Sequence, residues 1–146
     1  MNNFVVKDNS FKEKVRESFF NQEVMNTIGA SPVSIEPGHV EIEFAYKKSL
    51  TQHHGFIHAG IVSTVLDSAC GYAAFTLMPE KTSVLTIEFK INLLSPARGD
   101  QFLAIGKVKK PGRTITVSEG ELYAVHTDSR KLIATMTGTL MTVNTL

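Results

Sequence analysis

The sequence predicts an α+β fold in which an antiparallel sheet of five to six strands wraps around a long central helix, with an N-terminal helix before it. One observation is the stretch from Ile61 to Met78, which is apolar on nearly every side, as in a helix buried all round. The other is the second half of the chain, where apolar and polar residues alternate as in strands with one buried face. Because no other element is available to cover the helix, we expect the sheet to curl around it.

The N-terminal helix is predicted from the segment "SFKEKVRESFFNQEV". Ser10 and Glu13 have the spacing of a capping box, which is typical of a helix start. Gly29 can end the helix. The apolar residues fall on one stripe, as in an amphipathic helix, and comprise Phe11, Val15 and Phe19.

The strands are predicted from alternation with a period of two residues. The first is "HVEIEFAYKKSL", and the apolar row of the second, "VLTIEFKINLL", is Leu85, Ile87, Phe89, Ile91 and Leu93. Thr86 and Glu88 belong to the opposite, polar row of that strand. The segment "SPARGD" is its predicted turn.

Three further segments complete the predicted sheet, namely "QFLAIGKV", "TITVSEGELYAV" and "KLIATMTGTLMTV". The Pro-Gly of "KKPGR" indicates a hairpin between the first two. In the second, the apolar parity changes between Val117 and Leu122, which predicts a bulge near Gly120.

Length and composition limit the kinds of function. The 146 residues fit one domain, predicted over 1–146 with a helical segment at 1–30 and a core at 31–146. Fifteen basic and fourteen acidic residues are mixed along the chain, so we expect neither nucleic acid nor a membrane as partner. One cysteine, no signal-peptide pattern and no spanning segment indicate a cytoplasmic protein.

Several segments together resemble one known family. The stretch "QHHGFIHAG" leads into the helix that carries Asp67, and "TIEFKINLLSPARGD" and "KKPGRT" follow. In combination they are similar to the hotdog-fold acyl-CoA thioesterases, specifically the PaaI-like branch, over nearly the whole domain from the first long strand onward. The resemblance implies hydrolysis of an acyl- or aroyl-CoA to the free acid and CoA, without a metal or other cofactor.

The resemblance also implies a catalytic turn and a carboxylate. In the family a His-Gly-Gly turn opens the central helix, its backbone N–H polarises the thioester carbonyl, and a carboxylate further along attacks or activates water. By position these are His58, Ala59 and Gly60, followed by Asp67. Alanine at the middle position still supplies a main-chain N–H, provided that its φ is negative.

Two more residues are carried over from the resemblance. Gln52 falls where relatives carry Asn or Gln near the thioester. Thr86 falls where some relatives carry a hydroxyl that helps to hold the attacking water. The strand alternation puts Thr86 opposite the apolar face, so it helps only if it lies at the strand's end beside the site.

Helix geometry predicts that the site is shared between two copies of the chain. Ala59 and Asp67 are eight residues apart, about 12 Å along a helix, whereas both must reach one carbonyl group. We therefore expect a homo-oligomer, a dimer or a dimer of dimers, in which the turn of one protomer meets Asp67 of its partner. Desolvation favours Asp67 as general base, and the nucleophilic role stays open.

Other side chains have a structural and a functional interpretation. The basic residues around the hairpin either meet CoA phosphates or are solvated; they are Lys109, Lys110 and Arg113. Three aromatic residues either line the acyl pocket or pack in the core; they are Phe19, Phe20 and Tyr72. Cys70 is expected to be a small buried filler.

Rival functions follow from the same residues. His53, His54 and His58 could suggest a metal, but no third ligand of another type lies near them, so we expect none. A hotdog hydratase or dehydratase ranks lower, because the expected His-Phe-Pro motif is absent. A non-catalytic protein that binds acyl-CoA or another apolar ligand is the alternative from a different class.

Overall fold

The computed structural model describes residues 3–145, over which six antiparallel strands form one sheet against a central helix. The elements in chain order are α1 (Phe11–Phe20), α2 (Glu23–Ile28), β1 (Ser31–Glu36), β2 (His39–Ala45), a 3-10 turn (Lys48–Leu50), α3 (Ala59–Phe75), β3 (Thr82–Leu93), β4 (Gln101–Lys110), β5 (Ile115–Val125) and β6 (Arg130–Asn144). The strand order is β1-β2-β4-β5-β6-β3. The predicted fold class is confirmed.

The N-terminal segment forms two helices where the sequence predicted one. The buried stripe of α1 is confirmed, but the capping box is wrong, since the Ser10 amide and hydroxyl both donate to Asp8 Oδ1, at 2.9 and 2.6 Å. α1 ends at Phe20, and Gly29 ends α2 instead. Gly29 has φ of +77°, a left-handed conformation that glycine adopts without steric cost.

One edge of the sheet is a strand that the alternation did not predict. β1 contains Pro32, which has no N–H for a ladder, and its pairing with β2 is irregular between Pro32 and Ser34. Proline is tolerated on an edge strand, where one side needs no partner. The other edge is β3, so the connection after β3 crosses to β4 and is not the turn of a hairpin.

The predicted bulge at Gly120 is wrong. β5 alternates regularly, with Thr116, Ser118, Gly120 and Leu122 all buried on the helix side. Gly120 pairs in register with Gly106 on β4, and the predicted hairpin between these strands is present. The apparent change of parity arose because small polar residues, rather than large apolar ones, face the helix in the first half of β5.

The small residues let α3 lie very close to the sheet. An added Cβ at Gly106 would lie 2.1 Å from the Ala69 carbonyl oxygen, and one at Gly120 would lie 2.9 Å from Cys70 Sγ. Cys70 is buried here as a filler, and its burial raises the pKa of the thiol to about 12. No helix among the described residues is long and apolar enough to cross a membrane.

Candidate active site

In the first turn of α3, one backbone N–H is left without a hydrogen-bond acceptor among the described residues. His58 is the N-cap residue, and its Nδ1 accepts a hydrogen bond of 2.8 Å from the Gly60 N–H. The amides of Ile61 and Val62 both donate to the His58 carbonyl, at 2.9 and 3.1 Å. Within residues 3–145, the Ala59 N–H is thus the amide of this turn with no acceptor.

The local backbone explains why alanine and glycine serve in this turn. Ala59 does not have a positive φ, so the condition set for alanine at this position is met. An added Cβ at Gly60 would lie 3.0 Å from His58 Nδ1 and would crowd the capping ring. The turn is anchored by the His58 N–H, which donates to the Leu50 carbonyl at 2.9 Å, and by the Ile57 N–H, which donates to the Ala97 carbonyl at 3.1 Å.

A cavity of about 350 Å³ lies beside this turn and is called the Ala59 cavity below. Gln52 lines it, with its side-chain Oε1 accepting from the His54 N–H. Gln52 therefore lies close to the turn, and its side-chain carbonyl oxygen stabilises its own loop; its contact with a thioester stays a prediction. The other lining residues are mainly apolar and include Phe56, Val62, Leu93, Leu94, Pro96 and Ile133.

Asp67 lies further along α3, on a stripe that the sheet does not cover. It is half-buried, which departs from the expectation of a helix buried all round. The Thr86 hydroxyl donates to Asp67 Oδ1 at 2.7 Å, and no partner for Oδ2 lies within residues 3–145. Burial raises the pKa of the Asp67 carboxyl, and the Thr86 hydrogen bond opposes that shift. Oδ1 of the carboxylate is thus hydrogen-bonded, whereas Oδ2 has no hydrogen-bond partner among the described residues.

Thr86 reaches Asp67 because β3 contains an irregularity that alternation cannot show. Its register against β6 shifts between Thr86 and Glu88, as in a β-bulge. Thr86 pairs with Leu140, which is fully buried on the helix side. Thr86 therefore faces the helix, and the expectation that it faces away from the apolar side is wrong.

A second cavity, of about 270 Å³, opens beside Asp67 and is called the Asp67 cavity below. Tyr72 lines it and is also packed against Phe19 and Phe75, and its contact with an acyl group stays a prediction. Phe19 is fully buried in the core and Phe20 is 51% exposed, and neither lines this cavity. The full lining is Ser18, Gln22, Asp67, Ser68, Gly71, Tyr72, Phe75, Ser83, Val84, Leu85 and Thr86.

The structure does not bring the predicted CoA-binding cations to either cavity. Lys109 is exposed and forms an ion pair of 3.4 Å with Glu119 on the neighbouring strand. Lys110 is exposed at the end of β4. Arg113 lines a different cavity, together with Phe4 and Pro79. In one protomer, these three side chains therefore belong to the surface around the hairpin.

The amide and the carboxylate occupy two separate cavities of the same chain. They share no lining residue, and the helical rise separates Ala59 from Asp67 by about 12 Å. Between them, edge strand β3 exposes Phe89 and Leu93, which are 44% and 54% exposed. Both pair with buried β6 residues, so they lie on the helix side of the sheet.

Comparison with known proteins assigns the family. A family model described as "Thioesterase superfamily" matches residues 54–129, more than half of the chain. The chain belongs to the thioesterase superfamily. The matched segment of this superfamily member contains the His58 turn, Asp67 and Thr86, whereas α1 and α2 lie before it. The resemblance to hotdog-fold thioesterases is confirmed.

Individual relatives agree with this assignment. A thioesterase family protein from Silicibacter pomeroyi has 54% sequence identity and a TM-score of 0.90, covering 92% of this chain and 98% of that one. A provisionally named esterase of Saccharolobus solfataricus is 32% identical over 110 residues, which is 75% of this chain and 73% of that protein. The PaaI protein of the Escherichia coli phenylacetic acid degradation operon shares the fold, at 18% identity, a TM-score of 0.83 and coverage of 95% and 97%.

The sequence reasoning missed the polar wall of the Asp67 cavity. Ser18, Gln22, Ser68 and Ser83 all contribute to it. Ser18 and Gln22 are four residues apart, at the C-terminal end of α1 and just beyond it. That spacing is typical of neighbours on a helix face, but nothing in the sequence shows that this face meets α3 next to Asp67.

Proposed function

We propose that this thioesterase-superfamily chain hydrolyses the thioester of an acyl- or aroyl-CoA to the free acid and CoA. The observation that carries the proposal is Asp67, a half-buried carboxylate with Oδ1 held by Thr86 and Oδ2 open to a cavity. Aspartate is rarely buried in an apolar helix without a partner. The Thr86 hydroxyl satisfies only one of the two carboxylate oxygens of Asp67. The superfamily match supplies the reaction class.

The chemistry uses Asp67 as general base. Burial raises the pKa of the carboxyl above its ordinary value of 3.8, which makes the carboxylate a stronger base. Asp67 takes a proton from water, and the water oxygen forms a bond to the thioester carbon. The Ala59 N–H stabilises the oxyanion that develops. The C–S bond then breaks, and the departing thiolate takes the proton from Asp67.

The reactive pair is assembled from two protomers in this proposal. The Ala59 N–H and Asp67 are about 12 Å apart along one helix, too far to act on one carbonyl group. Phe89 and Leu93 of β3 are exposed on the helix side of the sheet, and an edge strand has unpaired backbone groups. A twofold-related copy that covers this edge brings the Ala59 cavity of one protomer to the Asp67 cavity of the other.

The test is the release of thiol from a panel of CoA thioesters by the wild type and Asp67→Asn. The substitution keeps the shape and removes the base, so we expect kcat to fall by about 10²–10⁴-fold. Asp128→Asn, in an exposed loop, is the matched control and keeps wild-type activity. Equal rates for wild type and Asp67→Asn, or no cleavage of any thioester, would refute the proposal. Binding of acyl-CoA without cleavage would instead support the alternative of a non-catalytic protein that binds acyl-CoA.

A further inference from the structure

The cavity that Arg113 lines has a volume of about 400 Å³ and is called the Arg113 cavity below. That volume is within the range of small-molecule sites. The cavity lies between the C-terminal end of α3, the turn that joins β4 to β5, and the N-terminal segment at residues 3–7. It shares no lining residue with the Ala59 cavity or the Asp67 cavity. Within one protomer it is therefore a separate cavity.

The buried part of the lining is mainly apolar. Ala74, Leu77 and Met78 line the Arg113 cavity, and all three are buried. Phe4 lines it from the N-terminal segment and packs against the hydrophobic core. An apolar group that enters the cavity is therefore removed from water and is stabilised in proportion to the area that it buries.

The exposed part of the lining carries positive charge. Lys7 and Arg113 are both exposed, and neither forms an ion pair within residues 3–145. No aspartate or glutamate among the described residues lines this cavity. The Asp67 cavity has the opposite character, because its described lining contains one carboxylate and no lysine or arginine. An anion is thus attracted to the Arg113 cavity and repelled from the Asp67 cavity.

A buried hydrogen-bond donor also lines the Arg113 cavity. Thr116 is 3% exposed, and its Oγ1 accepts from the Gly112 N–H at 3.4 Å. The hydrogen of the Thr116 hydroxyl has no acceptor within residues 3–145. A buried donor without an acceptor is unfavourable, so a ligand atom that accepts this hydrogen bond is stabilised. Because Gly112 directly precedes Arg113, the free donor lies beside the turn that carries the guanidinium group.

Both cations belong to segments that are held in place. Directly after Arg113, the Thr114 carbonyl accepts from the Thr142 N–H at 2.8 Å. Directly after Lys7, the Asp8 side chain is buried and accepts two hydrogen bonds at the start of α1. Backbone that is already fixed loses little conformational entropy when a ligand binds. The two charges are thus available at the cavity without a rearrangement of the chain.

We propose that the Arg113 cavity binds a small amphipathic anion. The apolar body of the ligand lies against Leu77 and Met78, and its head group, a carboxylate or a phosphate, lies at Lys7 and Arg113. Both cations donate charge-assisted hydrogen bonds to such a head group, and Thr116 donates one more. The inference does not depend on the proposed function, because neither Asp67 nor the Ala59 N–H lies in this cavity.

The test measures the binding of four probes to the wild-type chain by calorimetry, namely octanoate, octyl phosphate, octylammonium and acetate. We expect at least one octyl anion to bind about tenfold more tightly than octylammonium, which has the same body and the opposite charge, and than acetate, which has no such body. The tighter of the two octyl anions identifies the head group. An affinity for octylammonium or for acetate equal to that of both octyl anions would overturn the inference.

Variants assign the binding to this cavity. Arg113→Met and Lys7→Met keep an apolar stem at exposed positions and remove the charge, and we expect the affinity for the octyl anion to fall about tenfold in Arg113→Met. Thr116→Val keeps the shape of the buried side chain and removes its donor, which should weaken binding about threefold. Lys131→Met, at an exposed position of β6, is the matched control and keeps the wild-type affinity. An affinity unchanged in both Arg113→Met and Thr116→Val would place the ligand elsewhere and overturn the inference.

A nucleotide probe separates this inference from the sequence-based expectation that Arg113 meets CoA phosphates. The probe is the adenosine bisphosphate part of CoA, which has phosphates and no alkyl chain. Failure of this nucleotide to displace the octyl anion supports the inference. If the nucleotide binds as tightly as the octyl anion and loses that affinity in Arg113→Met, the cavity holds the nucleotide of CoA and the inference is wrong. Neither result depends on whether a thioester is hydrolysed.

Discussion

At the scale of single residues, Asp67 combines its proposed role as a base with a charge that is unfavourable to bury. Because burial raises its pKa in the folded chain, its contribution to stability is fully present below the unfolded pKa and is lost as the pH rises through the folded pKa. We therefore expect Asp67→Asn to have a higher Tm than the wild type at neutral pH. The difference should shrink as the pH falls towards the ordinary carboxyl value of 3.8. Thermal unfolding at several pH values measures it, and a lower Tm for the variant at neutral pH would contradict the assignment.

Thr86 partly offsets the effect of burial on the pKa of that carboxyl. Its hydrogen bond to Asp67 Oδ1 lowers the pKa against the effect of burial, so Thr86→Val should raise the pKa further. Since the deprotonated base is the active form in the proposed mechanism, the acidic limb of the kcat/KM profile should move to higher pH. We also expect kcat to fall by about tenfold, because the carboxylate loses a fixed orientation. Thr137→Val, at an exposed position of β6, is the control; an unshifted limb in Thr86→Val would show that the bond does not act on catalysis.

At the scale of elements, the close approach of α3 to the sheet gives a matched pair of glycine substitutions. In Gly106→Ala the new Cβ meets backbone atoms of Ala69 and Cys70, so we expect a loss of about 1–3 kcal/mol in the free energy of unfolding. In Gly71→Ala the nearest atom is Leu140 Cδ1 at 4.0 Å, and a helical position gains roughly 0.5–1 kcal/mol. Urea denaturation of both variants tests the opposite signs. A Gly106→Ala variant as stable as the wild type, or more stable, would mean that the contact between helix and sheet does not limit the size of residue 106.

The elements also show where the sequence was informative and where it was not. Periodicity identified α3 and the long strands, because burial of one face repeats with a fixed period. It misplaced Thr86, because the bulge between Thr86 and Glu88 reverses the facing of the residues before it relative to the apolar row after it. It misread β5, where Thr116 and Ser118 face the helix. Such positions depend on the pairing of strands distant in sequence, which local patterns do not contain.

The residues of the candidate site also fall into those that the sequence predicted and those that it did not. His58 and Asp67 were found because both belong to one continuous segment around the start of α3. Ser18 and Gln22 were missed because their contacts with α3 join residues 54 and 46 positions apart. The roles of Lys109, Lys110 and Arg113 towards CoA stay predictions, since one protomer places them at neither cavity.

At the scale of the whole molecule, the proposed mechanism needs two copies of the chain to bring the Ala59 amide to the Asp67 carboxylate, and complementation of two inactive variants tests this directly. Ala59→Pro removes the backbone N–H of residue 59. The helix tolerates proline there because Ala59 is the first helical residue, and because His58 has the extended ψ of 140° that a following proline requires. We expect Ala59→Pro and Asp67→Asn each to be inactive alone. When equal amounts of the two variants are refolded together, half of the amide donors and half of the carboxylates are intact. About a quarter of the sites therefore contain both. Thiol release should then recover to about a quarter of the wild-type rate. Mass spectrometry shows whether mixed oligomers form. If they form and no activity returns, each site is contained in one protomer and the proposal of a shared site is wrong.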